Sequence, residues 1–243
     1  MDTDRYNIAI EAVRACGDLL LREAGKFDDV AEFAHDVKLS QDRSSEAIIL
    51  AAIERSFPGD GFLSEERGAK NSSSGFHWVI DPLDGTMNYF RNIPQSCISV
   101  ACLDRGEHII GIVYDFLKDE LFTAQQGTGA FLNEKPIRVS SVATLGKATI
   151  AYGLMKGEEE IRIGMEFLSS FVPRVRKVRL MGAAALDLCY VACGRFDLFV
   201  EFNLKPWDTA AGRLIITEAG GDYREEPFGE LTKNLATNGI LTL

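Results

Sequence analysis

The sequence predicts a protein of mixed α and β structure, with α+β character in its first part and α/β character in its second. Two patterns predict this class. Apolar runs alternate with turn sequences between residues 96 and 124, as in a meander of neighbouring strands. After residue 147, strand-like and helix-like segments alternate, which is typical of helices layered around a sheet. Layers of helices are therefore expected around the sheets.

A helix opens the chain. Apolar residues recur at helical spacing from residue 5 to residue 24. Asp2, Thr3 or Asp4 can cap the first turn, and Gly25 can end the helix. This amphipathic pattern predicts a packing role without chemistry.

A polar segment separates the first helix from the second. Residues 26–42 carry few periodic apolar side chains and predict a loop or a frayed hairpin. The next helix is expected from Arg43 to Phe57, and Asp42 stands where it could cap that helix. A turn at residues 58–61 and a serine-rich loop at residues 69–75 follow.

The most informative stretch follows this loop. The apolar run Trp78–Ile80 predicts a short buried strand that stops at Pro82, because proline cannot donate to a sheet ladder. Asp81 cannot stay in the core as an unpaired ion, and a second carboxylate follows at Asp84. Gly85-Thr86 then predicts a turn into a helix, whose first N–H groups would suit a phosphate. The stretch therefore provides two oxygen ligands for a cation next to a binding site for an anion.

Two other segments carry acidic residues that suit the same chemistry. Glu65 and Glu66 lie just upstream, and Asp208 lies far downstream at the start of an apolar helix. Each has a simpler interpretation, as a solvated surface for the glutamates and as a helix N-cap for Asp208. The order and spacing of the three segments favour one shared site.

The second half of the chain is predicted to alternate between strands and helices. Strands are expected at residues 149–152, 176–180, 196–201 and 235–241, and helices at residues 157–171, 183–193 and 208–219. A boundary near residues 140–147 divides the chain into an N-terminal half, residues 1–140, and a C-terminal half, residues 141–243.

Composition limits the classes of function. The net charge of −10 disfavours a nucleic-acid backbone as primary ligand. Five cysteines, without a CxxC pair, predict reduced thiols and a cytoplasmic protein. The three histidines do not pair with a plausible serine or cysteine nucleophile, which disfavours a covalent or zinc mechanism. The first residues lack a signal-like pattern, and no apolar run is long enough to span a bilayer, so no membrane role is expected.

Together the acidic segments resemble the inositol monophosphatase family. The similarity rests on Asp81-Pro82-Leu83-Asp84-Gly85-Thr86, on Glu65-Glu66 before it and on Trp207-Asp208-Thr209-Ala210-Ala211-Gly212 after it. These proteins are Mg-dependent, lithium-sensitive phosphomonoesterases. The resemblance implies a layered α-β-α-β-α sandwich in which the N-terminal half carries most metal ligands and the C-terminal half completes the site.

The resemblance also implies a set of metal ligands. Glu65, Asp81 and the Leu83 carbonyl would hold one Mg²⁺, and Asp81, Asp84 and Asp208 a second. A third, weaker ion near Glu65 and replacement by Mn²⁺ are alternatives. Carboxylates this close together need cations between them.

Catalytic roles follow from the same resemblance. A water on the first ion would attack the phosphorus, and Glu65 with the Thr86–Asp42 pair would position and deprotonate that water. The phosphate would rest on the metals and on the N–H groups of Gly85 and Thr86.

Substrate contacts are implied for Asp84 and Asp208, for Glu201, which would accept a hydrogen bond from a substrate hydroxyl, and for the backbone of Ala184. Lys38 could clamp a phosphate, or it could be an ordinary solvated lysine. Glu201 could likewise be a surface residue at a strand end.

The sequence therefore predicts a Mg-dependent hydrolase of a small polyol or sugar phosphate, with inositol 1-phosphate as the default substrate, acting as a homodimer. Two residues favour other sugar phosphates. They are Lys38 and Ala183, which stands where the family usually has a residue with a hydroxyl group. Fructose 1,6-bisphosphate, a 3′-phosphonucleotide and NADP are alternative substrates. An alternative of another class is a protein-binding factor in a transcription complex.

Overall fold

The computed structural model describes residues 2–27, 30–33 and 36–242. Its helices are α1 (Thr3–Glu23), α2 (Ser40–Ser56), α3 (Thr86–Phe90), α4 (Glu158–Phe171), α5 (Ala184–Ala192) and α6 (Pro206–Glu218). Its strands are β1 (Val30–Phe33), β2 (Asp36–Leu39), β3 (Gly61–Ser64), β4 (Gly68–Lys70), β5 (Phe76–Asp84), β6 (Cys97–Asp104), β7 (Glu107–Asp115), β8 (Glu120–Gln125), β9 (Gly129–Leu132), β10 (Lys135–Ile137), β11 (Thr149–Tyr152), β12 (Lys177–Arg179), β13 (Leu198–Phe202), β14 (Asp222–Phe228) and β15 (Leu231–Thr237).

Two large sheets organise the described part of the chain. The first has eight strands in the order β10-β9-β8-β7-β6-β5-β3-β4, and only β3 and β5 pair in parallel. Strands β6, β7 and β8 form the predicted meander. The second sheet has the order β12-β11-β13-β15-β14, with β11 parallel to both of its neighbours. Its parallel strands are joined through helices, as the alternating pattern predicts.

Three apolar clusters join these elements into five layers. One cluster packs α1 and α2 on the first sheet, with Trp78 and Ile80 of β5 fully buried in it. A second cluster fills the space between the two sheets around α5 and α6. A third packs α4 on the outer face of the second sheet. The predicted α-β-α-β-α sandwich is confirmed.

The middle layer is apolar throughout because both of its faces meet a sheet. Every residue of α5 is buried, and the α6 residues Ala211 and Ile215 have no exposed surface. Close approach here depends on small residues, since a Cβ at Gly111 of β7 would lie 2.7 Å from the carbonyl oxygen of Ala211. The packing of α6 against the first sheet therefore leaves no room for an additional methyl group at residue 111.

The predicted end of the central strand at Pro82 is wrong. β5 continues through Pro82 to Asp84, and its register with β6 shifts between Asp81 and Asp84. A bulge of this kind leaves Pro82 outside the regular ladder, so its missing N–H costs no hydrogen bond. The same bulge sets the spacing between the two aspartates.

Residues 26–42 contain a hairpin, the second of the two predicted alternatives. β1 and β2 pair antiparallel, from Val30 opposite Leu39 to Phe33 opposite Asp36. α2 starts at Ser40 rather than at Arg43, so Asp42 lies inside its first turn. Asp42 is therefore not the N-cap, although its Oδ2 still accepts the Leu39 N–H, at 2.6 Å.

The sequence analysis does not assign several of the strands. Among them, β3 runs parallel to β5, β4 takes three residues from the stretch around the predicted serine-rich loop, and β14 precedes the last strand. The last strand also ends at Thr237 instead of residue 241. Two of the missed strands, β4 and β14, are sheet edges, where polar side chains face solvent and hide the strand pattern.

The five cysteines are free thiols, and all but Cys193 are buried. Among the described helices, none combines the length and the apolar character needed to cross a bilayer.

Gly111→Ala should lower the free energy of unfolding, because its methyl group would collide with the main chain of α6. We expect a loss of about 1–3 kcal/mol, measured by urea denaturation. Gly146→Ala is the matched control, since a Cβ there meets no atom within 4 Å, and it should change stability by less than about 0.5 kcal/mol. Equal effects of the two variants would contradict the packing argument.

Candidate active site

A single cavity of about 570 Å³ collects the predicted site residues. It opens between the two sheets, where β5, the first turn of α6 and the end of β13 meet. The residues predicted to bind the metals, the attacking water or the substrate all line it, namely Lys38, Asp42, Glu65, Asp81, Leu83, Asp84, Gly85, Thr86, Ala184, Glu201 and Asp208. Residues far apart in the chain are therefore neighbours in the fold.

The bulge in β5 aims two carboxylates into this cavity. Asp81 is 2% exposed, and its Oδ1 accepts the Leu83 N–H at 3.0 Å. Asp84 accepts the N–H of Ala185, at the start of α5, at 2.8 Å. The thiol of Cys97 also donates to Asp84, at 3.7 Å. Main-chain groups thus fix both side chains.

Gly85 makes the turn between these carboxylates and α3. Its φ of 81° lies in the left-handed region, and a Cβ would lie 2.7 Å from the Gln95 carbonyl oxygen. Thr86 follows and donates its hydroxyl to the Leu83 carbonyl at 2.9 Å, with the Asp42 Oδ1 at 3.4 Å as a longer alternative. One hydroxyl proton can serve only one of them at a time. The implied Thr86–Asp42 pair is therefore within reach, but it is the weaker contact.

Asp208 is held in the same way as Asp42. It occupies the third position of α6, and its Oδ2 accepts the Lys205 N–H at 2.6 Å. The proposed N-cap role is therefore wrong for this residue too, because Lys205 is the N-cap. In each helix the carboxylate closes the first turn and leaves its other oxygen for the cavity.

Lys38 on β2 lies against the glutamates that follow β3. Its ammonium group donates to Glu66 and lies 3.5 Å from Glu65 Oε1. Burial lowers the pKa of Lys38, but the hydrogen bond to Glu66 and the charge of Glu65 outweigh burial and raise it. The lysine is therefore charged and belongs to the acidic cluster instead of being an ordinary solvated side chain.

Glu46 on α2 is a site residue that the sequence analysis misses. Its side chain is 1% exposed, and its Oε1 accepts the N–H groups of Glu66 and Arg67, each at 3.1 Å. It therefore holds the turn that carries Glu65. The available signal is its place on the apolar face of α2, four residues before Leu50, where an acidic residue must have a partner.

Glu201 enters the cavity from the end of β13. A Cβ at residue 153 would overlap its carboxyl group, so Gly153 provides the space that Glu201 occupies. Ala184 begins α5 beside Asp84, and Ala183 packs against the turn at Gly85. These contacts place Glu201 and Ala184 in the wall of the cavity.

The cavity is strongly acidic. Burial, and then the charges of Glu65, Asp84 and Asp208, raise the pKa of Asp81 well above its usual value. Burial also raises the pKa of Asp84 to about 6 and that of Asp208 to about 7. The pKa of Glu201 rises for the same reason, with Asp208 adding to the effect. The repulsion between these groups is what a bound cation would relieve.

The donor set fits a hard divalent cation, because it consists of carboxylate oxygens and the Leu83 carbonyl. Over the described residues, however, no three acidic, histidine or cysteine side chains converge tightly enough to form a closed metal site as they stand. Glu65 lies towards Lys38. The oxygen donors of a hard-cation site are thus present without the final geometry of such a site.

The sequence model of the inositol monophosphatase family matches residues 1–238. The chain belongs to this family. It is 38% identical to the Nus factor SuhB of Xylella fastidiosa, over 91% of this chain and 82% of that protein. It is also 38% identical to an inositol-1-monophosphatase of Mesorhizobium japonicum, over 92% and 86% respectively. The solved structure of an IMPase of Thermotoga maritima superimposes with a TM-score of 0.88 and 32% identity, covering 99% of this chain and 93% of that one.

Members of this family are phosphatases that act on small phosphorylated substrates and are generally metal-dependent. The acidic cavity is consistent with this family-level activity. The family resemblance and the fold expected from the sequence are both confirmed. The roles of the individual site residues stay predictions.

Glu46→Ala should lower the free energy of unfolding by roughly 1–3 kcal/mol, because the N–H groups of Glu66 and Arg67 lose their acceptor. Glu46→Gln keeps the acceptor oxygen and should lose clearly less. Denaturant titration of both variants checks this expectation. If the two variants lose the same stability, Glu46 acts through its volume or charge and does not hold the turn.

Asp84→Asn should stabilise the metal-free protein at pH 7.5. The pKa of Asp84 is about 6 in the fold and about 3.9 in an unfolded chain, so ionisation favours unfolding. This penalty is absent below about pH 4 and complete above about pH 6. We expect a gain on the order of 2 kcal/mol at pH 7.5 that vanishes near pH 4, measured by denaturation in chelator. A variant less stable than the wild type at both pH values would contradict the repulsion argument.

Proposed function

We propose that the chain is a Mg-dependent phosphomonoesterase that hydrolyses a small polyol or sugar phosphate, with inositol 1-phosphate as the default substrate. The observation that carries this proposal is the convergence of Glu65, Asp81, Asp84 and Asp208 on one cavity beside the Gly85 turn. Such a site suits water-mediated phosphoryl transfer, because it combines hard oxygen ligands with donors for an anion.

Two groups of oxygens would hold the metal ions. Glu65, Asp81 and the Leu83 carbonyl suit one Mg²⁺, and Asp81, Asp84 and Asp208 suit a second. Bound Mg²⁺ or Mn²⁺ would neutralise the phosphate and make a coordinated water acidic enough to attack it. To bind a cation, Glu65 would have to leave its contact with Lys38. Because Glu46 holds the main chain of this turn, only the side chain of Glu65 would have to move.

Thr86 and Asp42 would handle the proton of the attacking water. The Thr86 hydroxyl can accept a hydrogen bond from that water while it donates to Asp42. Burial raises the pKa of Asp42 to about 7, so this carboxyl can gain and lose a proton near neutral pH. Glu65 lies on the same side and would help to orient the water.

The substrate would lie between the Gly85 turn and Glu201. The first N–H groups of α3, at Gly85 and Thr86, have no helical acceptor and suit the phosphate oxygens. Asp84, Asp208 and Glu201 would accept hydrogen bonds from the hydroxyls of the alcohol, next to the Ala184 backbone. Lys38 would add a positive charge once Glu65 and the metals are paired.

A second candidate function is binding to a transcription complex. It is favoured by the relatives named Nus factor SuhB, which are 37–39% identical to this chain. Such a role would need only the folded surface and not turnover. It is compatible with phosphatase activity.

The test is phosphate release from inositol 1-phosphate, fructose 1,6-bisphosphate, a 3′-phosphoadenosine compound and NADP, with Mg²⁺ and with chelator. We expect Mg-dependent turnover that Asp84→Asn reduces roughly 10²-fold or more, because this change removes a negative oxygen that the metal needs. Thermal unfolding of the variant controls for folding.

Turnover that is independent of Mg²⁺, or retained in Asp84→Asn, would overturn the site assignment. The same variant separates the second candidate, since capture of RNA polymerase complexes by the immobilised chain should survive Asp84→Asn. If wild-type protein hydrolyses none of the esters but still captures the complex, the binding role is the better conclusion.

A further inference from the structure

Lys38 brings a positive charge of the chain itself into the acidic cavity. Its ammonium group donates to Glu66 and lies 3.5 Å from Glu65 Oε1. Glu65 is one of the oxygen ligands proposed above for the first Mg²⁺. The lysine therefore contacts a carboxylate that the proposed function assigns to a metal ion.

The main chain is fixed on both sides of this contact. Val37 and Leu39, the neighbours of Lys38 in β2, are 4% and 2% exposed and pack in the apolar cluster beneath α1 and α2. Because side chains alternate along a strand, Lys38 leaves β2 on the opposite side, towards the cavity that it lines. Across the contact, Glu46 accepts the N–H group of Glu66. A change of partner therefore involves the side chains alone.

Glu66 is the more deeply buried of the two partners of Lys38. Its side chain is 12% exposed, against 28% for that of Glu65. Charges attract each other more strongly where less water surrounds them. The contact of Lys38 with Glu66 should therefore persist when its contact with Glu65 is broken, so the lysine can release Glu65 and still keep a partner.

Lys38 and a divalent cation would compete for Glu65. In the parts of the chain that the structure describes, no three candidate ligands converge on one point as they stand, and Glu65 lies towards Lys38. A cation at the first site needs the same carboxylate, and the charge of the lysine also repels that cation. Both effects lower the affinity of the site for the metal ion.

We propose that Lys38 is a built-in counter-ion, which competes with Mg²⁺ for Glu65 and so sets the Mg²⁺ concentration at which the site fills. On loading, Glu65 leaves the lysine for the metal ion, and Lys38 stays on Glu66. This inference rests on the proposed phosphatase function and adds a control over its metal loading. Activity would then respond to the Mg²⁺ concentration instead of depending on a permanently bound ion.

The test measures the Mg²⁺ affinity of the full chain without substrate, by calorimetric titration and by the rise of the unfolding temperature with added Mg²⁺. We expect Lys38→Met to bind Mg²⁺ roughly threefold to tenfold more tightly, because a partly exposed competing charge is removed. Lys38→Arg keeps the charge and should keep an affinity close to that of the wild type. In chelator, Lys38→Met should unfold at a lower temperature, because the glutamates lose this cation.

Lys70→Met is the matched control. The side chain of Lys70 is 38% exposed, as is that of Lys38, and it forms an ion pair with Glu54 at 3.4 Å. Lys70 does not line the cavity, however. This variant should therefore leave the Mg²⁺ affinity unchanged.

Glu66→Gln tests the exchange of partners from the other side. With Glu66 made neutral, Lys38 should hold Glu65 more firmly, and the Mg²⁺ affinity should fall. The fall should be clearly smaller when Glu66→Gln is combined with Lys38→Met, because only the loss of a negative charge near the site then remains.

Three results would overturn the proposal: an Mg²⁺ affinity that is unchanged or weaker in Lys38→Met, the same gain in Lys70→Met, or an equal effect of Glu66→Gln in both backgrounds. An unchanged Mg²⁺ affinity together with a higher KM for the phosphate ester would make Lys38 a ligand of the substrate phosphate instead. The binding measurement needs no turnover, so the two proposals can fail separately. Wild-type protein that binds Mg²⁺ but hydrolyses no ester would overturn the phosphatase function, whereas wild-type protein that binds no Mg²⁺ would overturn both.

Discussion

The structure depends on holding several carboxylates together in a partly buried cavity of a chain that already carries a net charge of −10. Burial and mutual repulsion both favour their neutral forms. Main-chain N–H groups keep Asp81, Asp84 and Asp208 in place, and they come from the bulge in β5, the start of α5 and the start of α6. Three layers must be stacked correctly before these donors share one cavity. The five-layer architecture is therefore what concentrates negative charge at one point.

The fold is predictable from the sequence where a pattern is local and repeated. The meander and the alternating second half follow from periodic apolar residues, and the layers follow from the need to cover both sheets. The errors fall where tertiary context decides. Pro82 reads as a strand end, but a bulge accommodates it inside β5. β14, from Asp222 to Phe228, is an edge strand whose polar side chains hide its period.

The site residues are predictable because they cluster in short motifs, and the cavity gathers all of them. The supporting contacts are not, because they join distant segments. Nothing near Glu46 in the chain indicates that it holds the turn after β3. Asp42 and Asp208 read as N-caps, whereas each reaches back from the third helical position. Likewise, the contact of Lys38 with Glu66 depends on the β1–β2 hairpin. The polar composition of residues 26–42 does not distinguish such a hairpin from a loop.

The loop from Gly153 to Gly157 has a consequence for how substrate range can diverge. A Cβ at its first residue would displace Glu201, and one at its last would lie 2.5 Å from Glu160 Oε2. A larger residue at either end would therefore require the Glu201 or the Glu160 side chain to move, while Leu154 and Lys156 between them are exposed and line the active-site cavity. Selection, in nature or in a mutant library, can therefore vary residues 154 and 156 and test new alcohols while the proposed metal ligands stay unchanged.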